Sequence, residues 1–210
     1  MKKALLSTVT TTIAVLAVTL ATAGWRAAAA RQGTPPSGGK PPQATMNPVP
    51  KTPVPVKRPP GVRGEIQREL DDAEREIVAL ASATPPEKFS WRPAPGVRSF
   101  GEVLLHVAEV NYQASGFWGA KTPAGVDLKK LEQQGADKGN SVAALRVSFE
   151  TVRASIATMT DADVERQINY YGRQATVRAA MISLTTHGHE HLGQLIAYAR
   201  MNGITPPWSR

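Results

Sequence analysis

The chain has 210 residues, 25 Lys and Arg against 17 Asp and Glu, a net charge of +8, 41% hydrophobic residues and no cysteine. The lack of a thiol excludes a disulfide scaffold, a Cys nucleophile, a thiolate metal site and a lipid-modified bacterial lipoprotein. The positive charge is segregated: residues 31–63 carry six cations and no acid, whereas residues 64–210 carry 16 cations against 17 acids, so the globular part is balanced and no specific nucleic-acid partner is expected.

Lys2 and Lys3 precede an uncharged stretch over residues 4–23, closed by small residues with A-x-A spacing at Ala21 and Ala23 or at Ala28 and Ala30. This is a signal-peptide pattern, so residues 1–30 are expected to direct export to the periplasm or the exterior and to be cleaved. The alternative is an uncleaved N-terminal membrane anchor, since about 20 residues span a bilayer. The threonines at 8, 10, 11, 12, 19 and 22 lower the apolarity and favour cleavage. Residues 31–63 are rich in Pro, Gly and Lys. Prolines fix φ and remove backbone donors, so this segment is expected to be a disordered, polyproline-like tether. Its charge would allow weak contact with anionic lipid or peptidoglycan, although a solvated spacer is the plainer reading.

Residues 64–210 are the size of one ordinary domain. Residues 64–82 place Ile66, Leu70, Ala73, Ile77 and Leu80 at three- and four-residue intervals, which predicts an amphipathic helix stopped by Thr84-Pro85-Pro86. The following loop, residues 87–98, holds Trp91 and is expected to lie on the bundle. Ser99-Phe100-Gly101-Glu102 has the form of a capping box and predicts a second helix to about Trp118, with Val103, His106, Val110, Ala114 and Phe117 facing inward and Val107 alongside. Residues 119–139 read as a connection with a short turn at 128–133.

Asn140-Ser141 would cap a third helix reaching about Met159, its apolar face formed by Val142, Leu145, Phe149, Val152, Ile156 and Met159. Residues 161–174 predict a short extended excursion or hairpin. Thr176 would cap a last long helix to about Asn202, with Val177, Ala180, Met181, Leu184, His187, His191, Leu195 and Tyr198 on one face and Gly203 as its left-handed terminal residue. Four helices with long crossovers predict an all-α fold, a four-helix bundle.

The chain has four histidines. His187 and His191 are four residues apart and stack on one helix face, whereas His189 is rotated by about 200° from His187 and points elsewhere. His106 is placed inward on another helix. A lone histidine on an apolar stripe is ordinarily a hydrogen-bonded core residue. Burying three without partners costs hydrogen-bonding energy, and three imidazoles from facing helices instead suit Zn²⁺ or Ni²⁺ with a coordination position left open. The His189-Glu190-His191 tract is not the H-E-x-x-H zinc-protease signature, and Glu190 reads as a surface residue. Glu102 and Glu109 would either orient His106 or be solvated on the helix surface. Tyr198, seven residues after His191, would either donate a hydrogen bond near the site or pack in the core.

Three strings carry a family resemblance: Phe89-Ser90-Trp91-Arg92-Pro93-Ala94-Pro95-Gly96-Val97-Arg98-Ser99, the tract from Glu102 through His106 to Glu109, and the C-terminal tract from His187-Gly-His-Glu-His191-Leu-Gly-Gln to Pro-Pro-Trp-Ser. In this order and separation the chain resembles the DinB-like (damage-inducible) four-helix-bundle superfamily over residues 65–209. The resemblance implies a divalent metal in a bundle cleft and selects His106, His187 and His191, the residues that helical phasing also selects. It further implies a homodimer and activities such as thiol-dependent transferases and isomerases that use bacillithiol or mycothiol. Three readings follow: a metal-dependent transferase or hydrolase acting on a small-molecule substrate, a non-catalytic metal- or ligand-binding envelope protein, and a structural interaction module.

Overall fold

The computed structural model describes residues 58–209. The expected leader over residues 1–30, and the tether as far as residue 57, lie outside the described residues. Among the described residues no helix is long and apolar enough to cross a membrane.

Helix α1, Val62–Ala83, begins two residues before the predicted start. Gly61, with φ of +68°, turns the chain into it, and its carbonyl accepts from the amides of Gly64 and Glu65. The helix ends where Thr84 becomes extended ahead of Pro85. Thr84 Oγ1 then donates back to the Leu80 carbonyl at 2.9 Å. A 3-10 turn at Pro86–Lys88 leads into the loop, which buries Phe89 completely. The loop also serves the next helix, because the Trp91 and Phe89 carbonyls accept from the amides of Phe100 (3.0 Å) and Gly101 (2.9 Å). Those first-turn amides have no partner within a helix.

Helix α2, Phe100–Gly116, starts with the expected capping box, Ser99 and Glu102 each satisfying the other's backbone amide. Its burial differs from the predicted single stripe. Val103, Val107 and Ala114 face the bundle, but Leu105, Ala108 and Tyr112 are buried on a second side, in a separate cluster with Leu131 of the connection. His106 and Val110 are only half-buried, and Phe117 is 36% exposed instead of facing inward. The reason is that α2 is covered twice, by the bundle and by the connection, so its accessible strip falls between the two.

The connection carries helix α3, Leu128–Leu131, and a 3-10 turn, Glu132–Gln134. Helix α4, Lys138–Ala157, is capped by Asp137, whose carboxylate accepts from the Asn140 amide at 2.8 Å. The predicted Asn140-Ser141 cap therefore lies inside the helix. Leu145, Phe149, Val152 and Ile156 are buried as predicted, while Val142 and Met159 pack at the margin. A short helix α5, Asp161–Glu165, and an antiparallel hairpin, β1 Gln167–Tyr170 with β2 Arg173–Thr176, fill the predicted excursion. Helix α6, Val177–Met201, is capped by Thr176 and closed by Gly203 at φ +73°. The Ile204 amide bonds to the Ala199 carbonyl and the Gly203 amide to Arg200, a Schellman closure.

The long helices α1, α2, α4 and α6 enclose one apolar core, α2 packing on α4 and α6, and α1 on α6 and α4. The fold is all-α apart from the hairpin. Polar links set helix register: Asn111 Nδ2 of α2 donates to Ser148 Oγ of α4 (2.9 Å), and Trp118 Nε1, just past the end of α2, to Ser155 Oγ of α4 (2.9 Å). Buried Arg63 of α1 holds Asp161 and the Met159 carbonyl at the other margin.

Candidate metal centre

His106 lies in the second turn of α2, and His187 and His191 lie one turn apart on α6. The α6 face that enters the core runs through Leu184, Gly188, Leu192 and Leu195, so the two histidines sit at its edge, half-buried. Gly188 lies between them, turned toward Ala73 of α1, where an added Cβ would make ordinary contact at 3.7 Å. The three imidazoles converge: His187 Nε2 is 3.0 Å from His191 Nε2 and 3.3 Å from His106 Nε2. His189 is excluded, exposed to solvent with Nδ1 on the Thr185 carbonyl at 3.0 Å.

The outer nitrogens are held differently. His106 Nδ1 donates to Glu132 Oε1 at 3.1 Å, and Glu132 Oε2 accepts from Arg98 Nε at 2.8 Å. His191 Nδ1 donates to Gln194 Oε1 at 2.7 Å, and Gln194 Nε2 donates to the Tyr198 hydroxyl at 2.9 Å. Tyr198 packs edge-on against Trp91, ring centroids 5.4 Å apart, so the 87–98 loop supports one imidazole through Trp91 and another through Arg98. His187 Nδ1 is buried without a protein partner.

With protons on Nδ1 of His106 and His191, both Nε2 atoms present lone pairs to a common point. His187 has one Nε2 proton at most and cannot satisfy both neighbours. Lone pairs about 3 Å apart repel unless a cation or proton lies between them. For a tetrahedral Zn²⁺ with Zn–N near 2.0–2.1 Å, adjacent nitrogens fall about 3.3 Å apart, which matches the observed separations. The donor set therefore fits a divalent cation, with both tethered imidazoles in the tautomer a metal needs.

Electrostatics favour the neutral, ligating form of His187 and His106. Burial, then the neighbouring His191, His106 and Arg98, push the His187 pKa down to about 4. Burial, Arg98 and His191 lower that of His106 against the opposing pull of Glu132. Burial works to raise the Glu132 carboxyl, but Arg98 and then His106 outweigh it and leave it below its ordinary value. Glu109 is raised by burial and by Glu132 beside it. In metal-free protein the folded state keeps His187 neutral down to about pH 4, whereas the unfolded chain takes up that proton near pH 6.5. Over this window the unfolded state binds more protons, so stability falls as pH drops from about 6.5 toward 4. Thermal melts of metal-free protein across that range are expected to slope downward on acidification, more steeply than those of His187→Asn.

Glu132 and Gln194 escaped the sequence reading. Gln194 had a local signal, three residues after His191 on the same helix. Glu132 had none, because only tertiary packing brings it to His106. Neither Glu102 nor Glu109 orients His106: Glu102 serves the capping box and Arg92, and Glu109 accepts from Gln113 at 2.6 Å. Glu190 is exposed, and the Tyr198 hydroxyl accepts from Gln194 within the core margin. His106, Glu109 and Glu132 form a second close group of metal-ligand types, but Arg98 already occupies Glu132. A polar recess beside Trp118, Ser155 and Arg166 contains none of the histidines.

The sequence model of the DinB superfamily matches residues 69–195, more than half of the chain. The chain belongs to the DinB superfamily. Among solved structures, this DinB-superfamily protein is similar to a DinB-like protein from Bacillus cereus, with a TM-score of 0.61 and 17% identity over 69% of this chain and 95% of that one. It is also similar to a DinB-like protein from Bacillus subtilis, with a TM-score of 0.53 and 20% identity over 67% and 93% of the respective chains. At these identities the likeness is one of fold. Comparison with curated proteins found no match.

Proposed function

We propose that His106, His187 and His191 bind one divalent cation, Zn²⁺ or Ni²⁺, and that the protein is a metal-dependent enzyme of the transferase or hydrolase type acting on a small-molecule substrate. The observation that carries this reading is the convergence of three Nε2 atoms, two of them fixed in the ligating tautomer by Glu132 and Gln194. A cation held by three imidazoles supplies an open position where a thiol or water is acidified. The chain supplies the rest. Glu132 places a carboxylate behind His106 and strengthens it as a donor. Gln194 and Tyr198 keep the His191 ring from rotating. Burial and then Glu132 beside it raise the Glu109 carboxyl above its ordinary value.

The test is elemental analysis of the purified protein, followed by assays of thiol conjugation and of ester and amide hydrolysis with and without chelator. One metal per chain and chelator-sensitive turnover are expected. Bound metal that raises the melting temperature with no turnover would favour a non-catalytic binding protein, and no metal uptake would end the reading. Glu132→Ala is expected to weaken metal affinity by about 10–100-fold, the usual cost of losing a ligand's orienting partner. Competition with a chromophoric chelator measures this, and Glu132→Asp tests for partial rescue.

The N-terminal pattern supports export, with the basic segment as a tether at the cell envelope. Protein sequencing of the mature N-terminus tests this, an intact Met1 favouring the anchor. A homodimer is the assembly we expect, checked by sedimentation.

A further inference from the structure

Two of the three histidines come from different helices, yet their outer nitrogens are steadied from one loop. The path to His106 of α2 runs from Arg98 Nε to Glu132 Oε2 (2.8 Å) and from Glu132 Oε1 to His106 Nδ1 (3.1 Å). The path to His191 of α6 runs from the Trp91 ring to the Tyr198 ring (5.4 Å), from the Tyr198 hydroxyl to Gln194 Nε2 (2.9 Å), and from Gln194 Oε1 to His191 Nδ1 (2.7 Å). Both paths begin within residues 87–98.

That loop is tied to itself between the two supports. Arg92 donates to the Val97 carbonyl and to Glu102 Oε1, each at 2.8 Å, and the Val97 amide donates to the Ala94 carbonyl at 3.3 Å. The Trp91 carbonyl accepts from the Phe100 amide at 3.0 Å, which joins this end to the first turn of the helix that carries His106. Phe89, fully buried with its ring 5.3 Å from that of Phe100, pins the start. Neither support contributes much to folding. The Arg98–Glu132 pair is partly exposed, its side chains 43% and 28% accessible, and pairs in water add little stability. A single edge-on ring contact is also a small fraction of a core. What both fix is the tautomer and rotation of an imidazole, to which a coordinated metal is sensitive.

We propose that Trp91 and Arg98 are positioning residues for the three-histidine site and act as one clamp, so that cation uptake and ordering of the 87–98 loop are coupled. This rests on the metal reading above. Releasing either end loosens the segment that carries the other, so the two residues are not independent supports. By reciprocity, a cation that requires both rings aligned tightens the loop in return.

The experiment uses the full chain. Zn²⁺ affinity is read by competition with a chromophoric chelator, and hydrogen exchange of the loop amides is followed with and without Zn²⁺. Trp91→Leu and Arg98→Met are each expected to lower affinity about tenfold, the lower end for loss of an orienting partner. The double variant is expected to lose no more than about thirtyfold, against about a hundredfold for independent supports. Zn²⁺ is expected to slow exchange of the native loop by about fivefold or more, and by less than about twofold in either variant. Trp91→Phe and Arg98→Lys, which keep a ring edge and a cation, should recover part of the affinity. Native affinity in either single variant, losses that multiply in the double variant, or loop exchange indifferent to Zn²⁺ overturns the clamp. A fall in metal-free melting temperature with no rescue by the conservative variants makes the two residues structural, and the proposal is then wrong. Failure of the native chain to take up Zn²⁺ overturns the triad reading and the clamp with it, a distinct result.

Discussion

His187→Ala is expected to abolish metal retention, lowering affinity by more than the 10–100-fold that loss of an orienting partner alone produces. His187 is the central donor, within 3.0 and 3.3 Å of its two neighbours, so its removal leaves His106 and His191 as a pair unable to close a three-point site. The fold should survive. The imidazole contributes no protein hydrogen bond through Nδ1, which is buried and unpartnered, and its deletion relieves an unsatisfied group. Elemental analysis should therefore read near zero metal in a protein whose metal-free melting temperature is close to native. His189→Ala, on the exposed face, should retain full metal content. Metal content that is unchanged in His187→Ala would refute the assignment of the site.

Gly101→Ala should be among the most damaging single-methyl additions in the fold. Its Cβ would lie 1.7 Å from the Gly135 carbonyl oxygen and 2.7 Å from the carbonyl carbon, both backbone atoms that no side-chain rotation can clear. The reciprocal Cβ on Gly135 would meet the Glu102 amide nitrogen at 2.6 Å. This crossing presses the connection onto the first turn of α2 and so brings Glu132 to His106. Overpacking of this kind costs about 1–3 kcal/mol, which for a domain of this size corresponds to a melting temperature lower by about 2–12 °C. Metal affinity should fall alongside, because Glu132 moves with the segment. The same substitution at Gly193 of α6, where nothing lies within 4 Å, should have the opposite sign and stabilise by about 0.5–1 kcal/mol through helix propensity. Thermal melts and chelator competition on the two variants separate these effects.

The elements readable from sequence were those governed by neighbours in the chain. The capping box at Ser99, the Thr176 cap, the closing Gly203 and the three-four spacing in α1 all act within a few residues, and all are found where expected. The facing of α2 was harder, because that helix is apolar on most sides and only the packing of Leu131 shows that Leu105, Ala108 and Tyr112 have a cover of their own. Asp137 caps α4, but Asn140 and Ser141 offer the same capping chemistry three residues on, so the sequence alone does not mark which of them starts the helix. The histidines were conspicuous through rarity and spacing. Their supports were not: Glu132 is 26 residues from His106 in sequence, and nothing local marks one glutamate of a polar connection as different from another.

That division of labour has an evolutionary consequence. The ligands ride on helices whose positions are locked by the core, whereas Arg98 and Glu132 belong to segments between the long helices, which tolerate replacement and changes of length. Descendants of such a scaffold are free to exchange those segments one at a time, altering how tightly the ion is gripped and what approaches it, while the three imidazoles stay in place.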